Sequence, residues 1–136
     1  MTKVGTEKGI QQALQMGPDN ALVLEDESLV GSNSLMTSNV LSELAKKVNA
    51  DIVIFGTEST DGYAGVVPQQ VSRILNIPCI SYVKNIEIDE SVILTRQTIE
   101  GSEKVKLPEK CVISVTASGV EPVSYTHLTL PTIYSV

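Results

Sequence analysis

The stretch DIVIFGTESTDGYAGVVPQQVSRILN, residues 51–76, decides the fold that this sequence predicts. It opens with four apolar residues, 52–55, a short β-rich run that is typical of a buried parallel strand. It closes with apolar residues at the spacing of one helix face: Val67, Val71, Ile74 and Leu75. The polar, glycine-bearing loop between them completes a strand–loop–helix unit, a geometry that holds phosphate groups on backbone amides.

Composition indicates one globular domain and excludes several classes of function. The chain has 136 residues, of which 42% are hydrophobic and 19% charged, enough for a hydrophobic core of ordinary size. Its net charge of −6 argues against nucleic-acid binding, which relies on Lys and Arg. We expect no membrane span and no secretory leader. Cys79 and Cys111 lack metal-ligand spacing, so we expect buried free thiols and a reducing cytoplasm.

Helices and strands alternate on both sides of the central stretch. A helix is predicted over residues 5–16 and a short strand over 21–24. A second helix is predicted over residues 33–48, and a further strand over 79–83. For the second helix, Ser32, Asn33 and Ser34 are the candidate N-caps, and its apolar side is expected to contain Met36, Val40, Leu41, Leu44 and Val48.

The pattern changes after Val83, where short β-type runs follow each other with turn-like pieces between them and no helix. These runs are compatible with an antiparallel extension of the same sheet. The predicted fold class is therefore α/β: a layered, mostly parallel sheet covered by helices, with a β-rich carboxyl-terminal extension.

The two ends of the chain differ from this pattern. A doubly wound domain usually begins with a buried strand, whereas here a helix follows almost at once, and Val4-Gly5 is interpreted as the stub of a lost strand. Residues 123–136 lack the acidic residues and the regular apolar pattern of the rest of the chain. The segment VSYTHL within them can be encoded by a transposase end sequence used in sequencing libraries. We therefore expect one domain over residues 1–122 and a non-native tail over 123–136; a native β-tail is the alternative.

Few residues outside the loop are candidates for chemistry. The one histidine, His127, lies in the suspect tail, so neither a Ser–His triad nor a His-based metal site is supported. The sequence contains neither a Walker A motif nor G-x-G-x-x-G. Asp89-Glu90 and the acidic run 25–27 are interpreted as solvated turns. The prediction is no catalytic residue and no metal ligand.

Several features of the loop after the central strand are explained together by a bound nucleotide. Gly62 and Gly65 permit positive φ and close approach of the backbone to a ligand. Val66, Val67 and Gln69 can offer amides at the helix start, where Pro68 is tolerated. Hydroxyl groups of the loop add donors, and Asp61 can accept from a ribose hydroxyl or brace the loop itself. A purely structural loop with an ordinary N-cap is the alternative.

Three separate motifs resemble the beta subunits of electron transfer flavoproteins. Residues 51–83 resemble the central block of that family. ALQMGPDNALVL at 13–24 resembles its ALxMGADxAxxL, and LVGSNSLMTSNVL at 29–41 resembles its LxGSDTxATAxxL. Residues 96–115 follow the family signature near the carboxyl end, with Ile99 where an acid is usual. The resemblance covers roughly residues 4–122.

The resemblance implies an adenine nucleotide α-hydrolase-like fold with helices on both faces of the sheet. It also implies a heterodimer with an alpha subunit that carries electrons through flavin to or from acyl-CoA-type or other dehydrogenases. Such a subunit is an electron carrier without catalytic residues of its own. The matching loop binds AMP or FAD in the family, and the pattern D-G-x-x-G-x-x-P at 61–68 favours FAD. The implied binding residues are Val4, Gly56, Thr57, Glu58, Ser59, Thr60, Asp61, Gly62, Tyr63, Ala64, Gly65, Val66 and Val67.

Departures from the family pattern leave an alternative open. The family's first strand and the loop after it are absent, and the tail replaces a segment that docks partner dehydrogenases. The alternative is a stand-alone, universal-stress-type module that binds an adenine nucleotide, although the Gly-rich phosphate motif of such modules is not found near the carboxyl end. Amide-forming enzymes of the same fold carry a Ser-Gly-Gly-x-Asp-Ser loop, which this sequence lacks.

Overall fold

The computed structural model describes residues 7–56, 65–116 and 133–135. In chain order its elements are α1 (Glu7–Leu14), β1 (Ala21–Val23), a 3-10 turn (Glu27–Leu29), α2 (Ser34–Lys47), β2 (Ile52–Gly56), α3 (Val67–Leu75), β3 (Cys79–Ile88), β4 (Val92–Thr98), β5 (Gly101–Lys106), β6 (Cys111–Val115) and β7 (Ile133–Ser135). The chain divides into two compact units, Met1–Ser32 with Glu121–Val136, and Asn33–Val120.

The first unit contains a two-stranded parallel sheet formed by β1 and β7, with Ala21 opposite Ile133. The sequence predicts β1 in the same sheet as the central strand; among the described residues it pairs with β7 instead. Strand β7 falls within residues 123–136, whose non-native origin and separate status stay predictions. In the same unit Leu14 of α1 is fully buried.

The second unit contains a five-stranded sheet in the order β2-β6-β3-β4-β5. Strand β6 is parallel to both β2 and β3, whereas β4 is antiparallel to both β3 and β5. The sheet is therefore mixed and not mostly parallel. The physical reason is the length of the connections: β3, β4 and β5 are joined by tight turns, which are too short for the crossover that parallel strands need.

Strand β6 lies at the centre of the parallel part, between β2 and β3. Its first four residues are all buried, as expected for a strand covered on both faces. The core cluster contains Ile80, Val83, Leu94, Cys111 and Ile113. Both cysteines are free thiols, as predicted, but only Cys111 is fully buried, whereas Cys79 is half-buried.

Helix α2 begins where its cap was expected, since Asn33 Oδ1 accepts a hydrogen bond from the Met36 amide at 2.9 Å. Its buried side differs in part from the prediction: of the five apolar residues, Val40, Leu41 and Leu44 are partly buried. Ser38, Ser42 and Ala45 are buried, whereas Met36 and Val48 are 50% and 58% exposed. A helix side made of small residues lets a neighbouring helix approach closely.

Helix α2 packs against α3, which in turn packs against β6 and β3. The contact between the two helices is polar: the Ser38 hydroxyl lies 2.7 Å from both the Ser34 carbonyl oxygen and Gln70 Oε1. The Ser42 hydroxyl donates to the Ser38 carbonyl at 2.7 Å. These hydrogen bonds offset the cost of burying two hydroxyl groups. None of the described helices is long and apolar enough to cross a membrane.

Candidate functional site

Two parallel strands, β2 and β6, end side by side at one edge of the five-stranded sheet, and β3 runs beside β6 and continues beyond its end. Gly56, the last residue of β2, lies opposite Val115 of β6, and Val115 lies opposite Val83 of β3. The Thr116 amide donates to the Val83 carbonyl at 2.9 Å, so the pairing continues past the end of β6. Ligands of α/β sheets bind outside the carboxyl ends of parallel strands, which makes this edge the candidate site.

Helix α3 begins at the same edge, after the loop that follows Gly56. Gly65 has φ +62°, so the predicted positive φ is confirmed at this glycine. Val66 is the N-cap and makes no side-chain capping hydrogen bond. The amides of Val67 and Gln69 lie in the first helical turn, where amides have no acceptor within the helix. Pro68 occupies this turn, as predicted, and lacks an amide that would have no helical partner.

The side chain of Gln69 ties the end of the loop to β3. Its Oε1 accepts from Ser81 Oγ at 3.3 Å, and its Nε2 donates to the carbonyl oxygens of Gly65 at 3.1 Å and Val66 at 3.2 Å. This orientation of the amide is the one that satisfies donors and acceptors at both ends. From the sequence, only the backbone amide of Gln69 is expected at the site; this side-chain contact, which we call the Gln69 clip, was not predicted.

A β-bulge in β3 lies next to the Gln69 clip. The register with β6 shifts between Ile80 and Val83, so two residues, Ser81 and Tyr82, oppose the single residue Ser114. Tyr82 has φ +60°, and its amide donates to the buried Ser114 hydroxyl at 3.1 Å. Tyr82 itself is 49% exposed. No sequence pattern signalled this bulge.

The structure describes four of the predicted site residues. Gly56, Gly65, Val66 and Val67 all lie at the carboxyl edge of the parallel strands or at the start of α3. The other predicted residues, Val4 and residues 57–64, lie outside the described residues, as does His127.

The described groups whose pKa is shifted do not belong to this edge. Burial raises the pKa of the Cys111 thiol, but Cys111 begins β6 and therefore lies at the opposite end of the strand from Val115. Hydrogen bonds from Ser28 lower the pKa of Asp26, which belongs to the other unit. In the described part of the chain, no group of three His, Cys, Asp or Glu side chains is placed to hold a metal ion.

We expect the substitution Gln69→Glu to loosen the end of the loop. A carboxylate would face the carbonyl oxygens of Gly65 and Val66, so both donated hydrogen bonds would be replaced by repulsion. The free energy of unfolding should fall by about 0.5–1.5 kcal/mol for each of the two hydrogen bonds, the value of a typical hydrogen bond. Hydrogen exchange at the Val67 amide should become faster.

The exposed Gln12 of α1 provides the control for the added charge, through Gln12→Glu. This variant should leave both the urea midpoint and exchange at Val67 unchanged. Equal behaviour of the two variants would show that the Gln69 clip does not hold the loop.

Comparison with known proteins supplies a family for the chain. The family described as the electron transfer flavoprotein domain matches residues 2–131. The chain is 30% identical over 99 residues to the electron transfer flavoprotein subunit beta of Thermoanaerobacterium thermosaccharolyticum, covering 73% of this chain. It is 32% identical over 117 residues to the subunit of the same name in Mycobacterium leprae, covering 85% of this chain.

A further relative is the caffeyl-CoA reductase-Etf complex subunit CarD of Acetobacterium woodii, 32% identical over 107 residues and 77% of this chain. The matched regions are 38%, 44% and 41% of these three relatives, so the chain spans about two fifths of the length of the curated relatives it matches.

Proposed function

The chain belongs to the electron transfer flavoprotein domain family, and we propose that it acts as the beta subunit of a heterodimeric electron transfer flavoprotein. In this role it carries electrons through flavin and has no acid–base step of its own. The observation that supports this function best is the edge formed by Gly56, Gly65 and the uncapped start of α3, in a chain whose relatives are named beta subunits.

The loop of residues 56–67 is proposed to hold AMP or FAD, and the D-G-x-x-G-x-x-P pattern favours FAD. The positive φ of Gly65 and the lack of a side-chain cap at Val66 fit a phosphate group, because both leave the backbone at the helix start open to an anion. The amides of Val67 and Gln69 would hold that anion, and Thr57, Ser59 and Thr60 would add hydroxyl donors. Bound FAD would supply the redox chemistry; the protein positions it.

An alpha subunit and dehydrogenases of the acyl-CoA or another type are the proposed partners. The name of the Acetobacterium woodii relative links that protein to a caffeyl-CoA reductase complex, which supports a partner of this chemistry. The two free thiols support a reducing compartment such as the cytoplasm.

Co-expression with an electron transfer flavoprotein alpha subunit tests the proposal. We expect the two chains to copurify as a yellow complex from which FAD, or FAD with AMP, is extracted and identified by mass spectrometry. A colourless chain that stays alone and binds ATP would contradict the proposal and would favour the stress-type module. Co-expression with an unrelated protein of similar size is the control for nonspecific copurification.

A further inference from the structure

Tyr82 has a backbone conformation that tyrosine rarely adopts. Its φ of +60° lies in the left-handed region, which glycine, asparagine and aspartate tolerate and residues with large side chains avoid. The two other non-glycine residues with positive φ in the described chain are both asparagines, Asn49 and Asn76. A tyrosine at such a position therefore requires a reason other than local backbone preference.

The surrounding strands hold Tyr82 in this conformation. Ser81 and Tyr82 together oppose Ser114, a two-to-one bulge that is rare between parallel strands. The Ser114 hydroxyl, on a side chain that is only 2% exposed, accepts the Tyr82 amide hydrogen. This hydrogen bond keeps the amide satisfied, so the bulge is a built feature of the sheet.

The ring of Tyr82 does not fill the core. Its neighbours in the strand, Ile80 and Val83, are 6% and 1% exposed and belong to the core cluster, whereas Tyr82 is 49% exposed. Residues held in strained backbone conformations cluster at active sites and ligand clamps. Packing alone therefore does not account for a tyrosine at this position.

The bulge lies beside the start of α3. Ser81, the residue before Tyr82, donates to Gln69, and Gln69 donates to the carbonyl oxygens of Gly65 and Val66. Two residues, Ser81 and Gln69, with the hydrogen bonds that they donate, therefore connect Tyr82 to the loop end at which the phosphate is proposed to bind. A nucleotide with its phosphate there needs a surface for its planar ring nearby.

We propose that Tyr82 is an aromatic platform on which a planar ring of the bound nucleotide stacks. The inference rests on the proposed function, because it assigns a further binding residue to the same site. The bulge positions the ring and strains the backbone at Tyr82. Stacking of the nucleotide on the ring offsets the free energy of this strain. Sequence motifs did not assign any role to Tyr82.

Three substitutions separate this role from a structural one. Tyr82→Asn removes the ring and introduces a residue that tolerates positive φ, so it should bind FAD and AMP about tenfold more weakly. The same variant should unfold at an equal or higher urea concentration, because strain is relieved. Tyr82→Phe keeps the ring and should retain the affinity. Asn49→Gly relaxes another left-handed residue and should leave binding unchanged.

Affinities are measured by equilibrium dialysis of the full 136-residue chain against FAD and, separately, AMP. Weaker binding by Tyr82→Asn at undiminished stability, with Tyr82→Phe like the wild type, supports the platform. Equal affinity of Tyr82→Asn and the wild type overturns it, as does a lower urea midpoint for Tyr82→Asn, which would show a packing role. A wild-type chain that binds neither probe counts against the proposed nucleotide site itself and overturns the platform with it.

Discussion

Replacing Gly65 with valine should remove bound nucleotide from the protein. Gly65 has φ +62°, and a β-branched residue there strains the backbone by about 1–2 kcal/mol. The backbone relieves this strain by rearranging at residue 65, which moves the amides of Val67 and Gln69 away from their positions. Retention of FAD or AMP after purification should then fall about five- to thirtyfold or more.

Two further substitutions make this expectation specific. Gly31 belongs to the other unit and has φ +76°, and a Cβ atom at this position would have no atom within 4 Å, so Gly31→Val introduces comparable strain. It should destabilise the protein similarly without loss of nucleotide. Gly65→Asn should keep most of the nucleotide, because asparagine tolerates positive φ. Full nucleotide content in purified Gly65→Val protein would refute the assignment of the loop.

The strand–loop–helix unit was predictable because its signals are local. Ile52–Gly56 forms the strand expected from four consecutive apolar residues. Helix α3 ends at Leu75, and the expected stop residue, Asn76, is its C-cap in the left-handed conformation. Gly65 was recognised from its residue type alone, since glycine is the default residue at positive φ.

Helix α2 shows where an apolar pattern finds only part of the buried side. The prediction followed the apolar residues, but close packing against α3 selects small residues, and Ser38 and Ser42 satisfy their hydroxyls on carbonyls one turn earlier. Hydrophobicity carries no signal for a side made of serines. The missing information was the neighbour against which the helix packs.

The topology of the sheet depended on long-range pairing that sequence order does not reveal. Strand β6 follows β5 in the chain but inserts between β2 and β3, and β1 pairs with β7. One signal was available: Cys111–Val115 contains no charged residue, as is typical of a strand covered on both faces.

The Gln69 clip and the Tyr82 bulge could not be predicted for a related reason. The contact between Gln69 and Ser81 depends on where the bulge shifts the register of β3 against β6. A bulge adds one extra residue to a strand. Because the residue in the left-handed conformation here is a tyrosine, the composition of the strand does not indicate the bulge. The sequence therefore indicated the backbone of the site better than its side chains.

Replacing Leu94 with alanine should cost more stability than any other substitution considered for this protein. Leu94 of β4 is fully buried, belongs to the core cluster, and lies opposite Ile86 and Val105 on the neighbouring strands. Leucine-to-alanine changes at such positions destabilise proteins by about 2–5 kcal/mol. Because domains are stable by only about 5–15 kcal/mol, urea unfolding followed by circular dichroism should show a large shift of the midpoint.

Ile99, in the turn between β4 and β5, provides the matched control because it is an aliphatic residue of the same size on the same hairpin and is fully exposed. Ile99→Ala should change the free energy of unfolding by no more than about 0.5 kcal/mol. Equal effects of the two substitutions would contradict the packing of β4 against the core. A large effect of Leu94→Ala would show instead that the antiparallel strands contribute to the same core as Cys111 and Ile113. The stability of the sheet edge at Gly56 would then depend on β4 and β5, which lie outside the predicted strand–loop–helix unit.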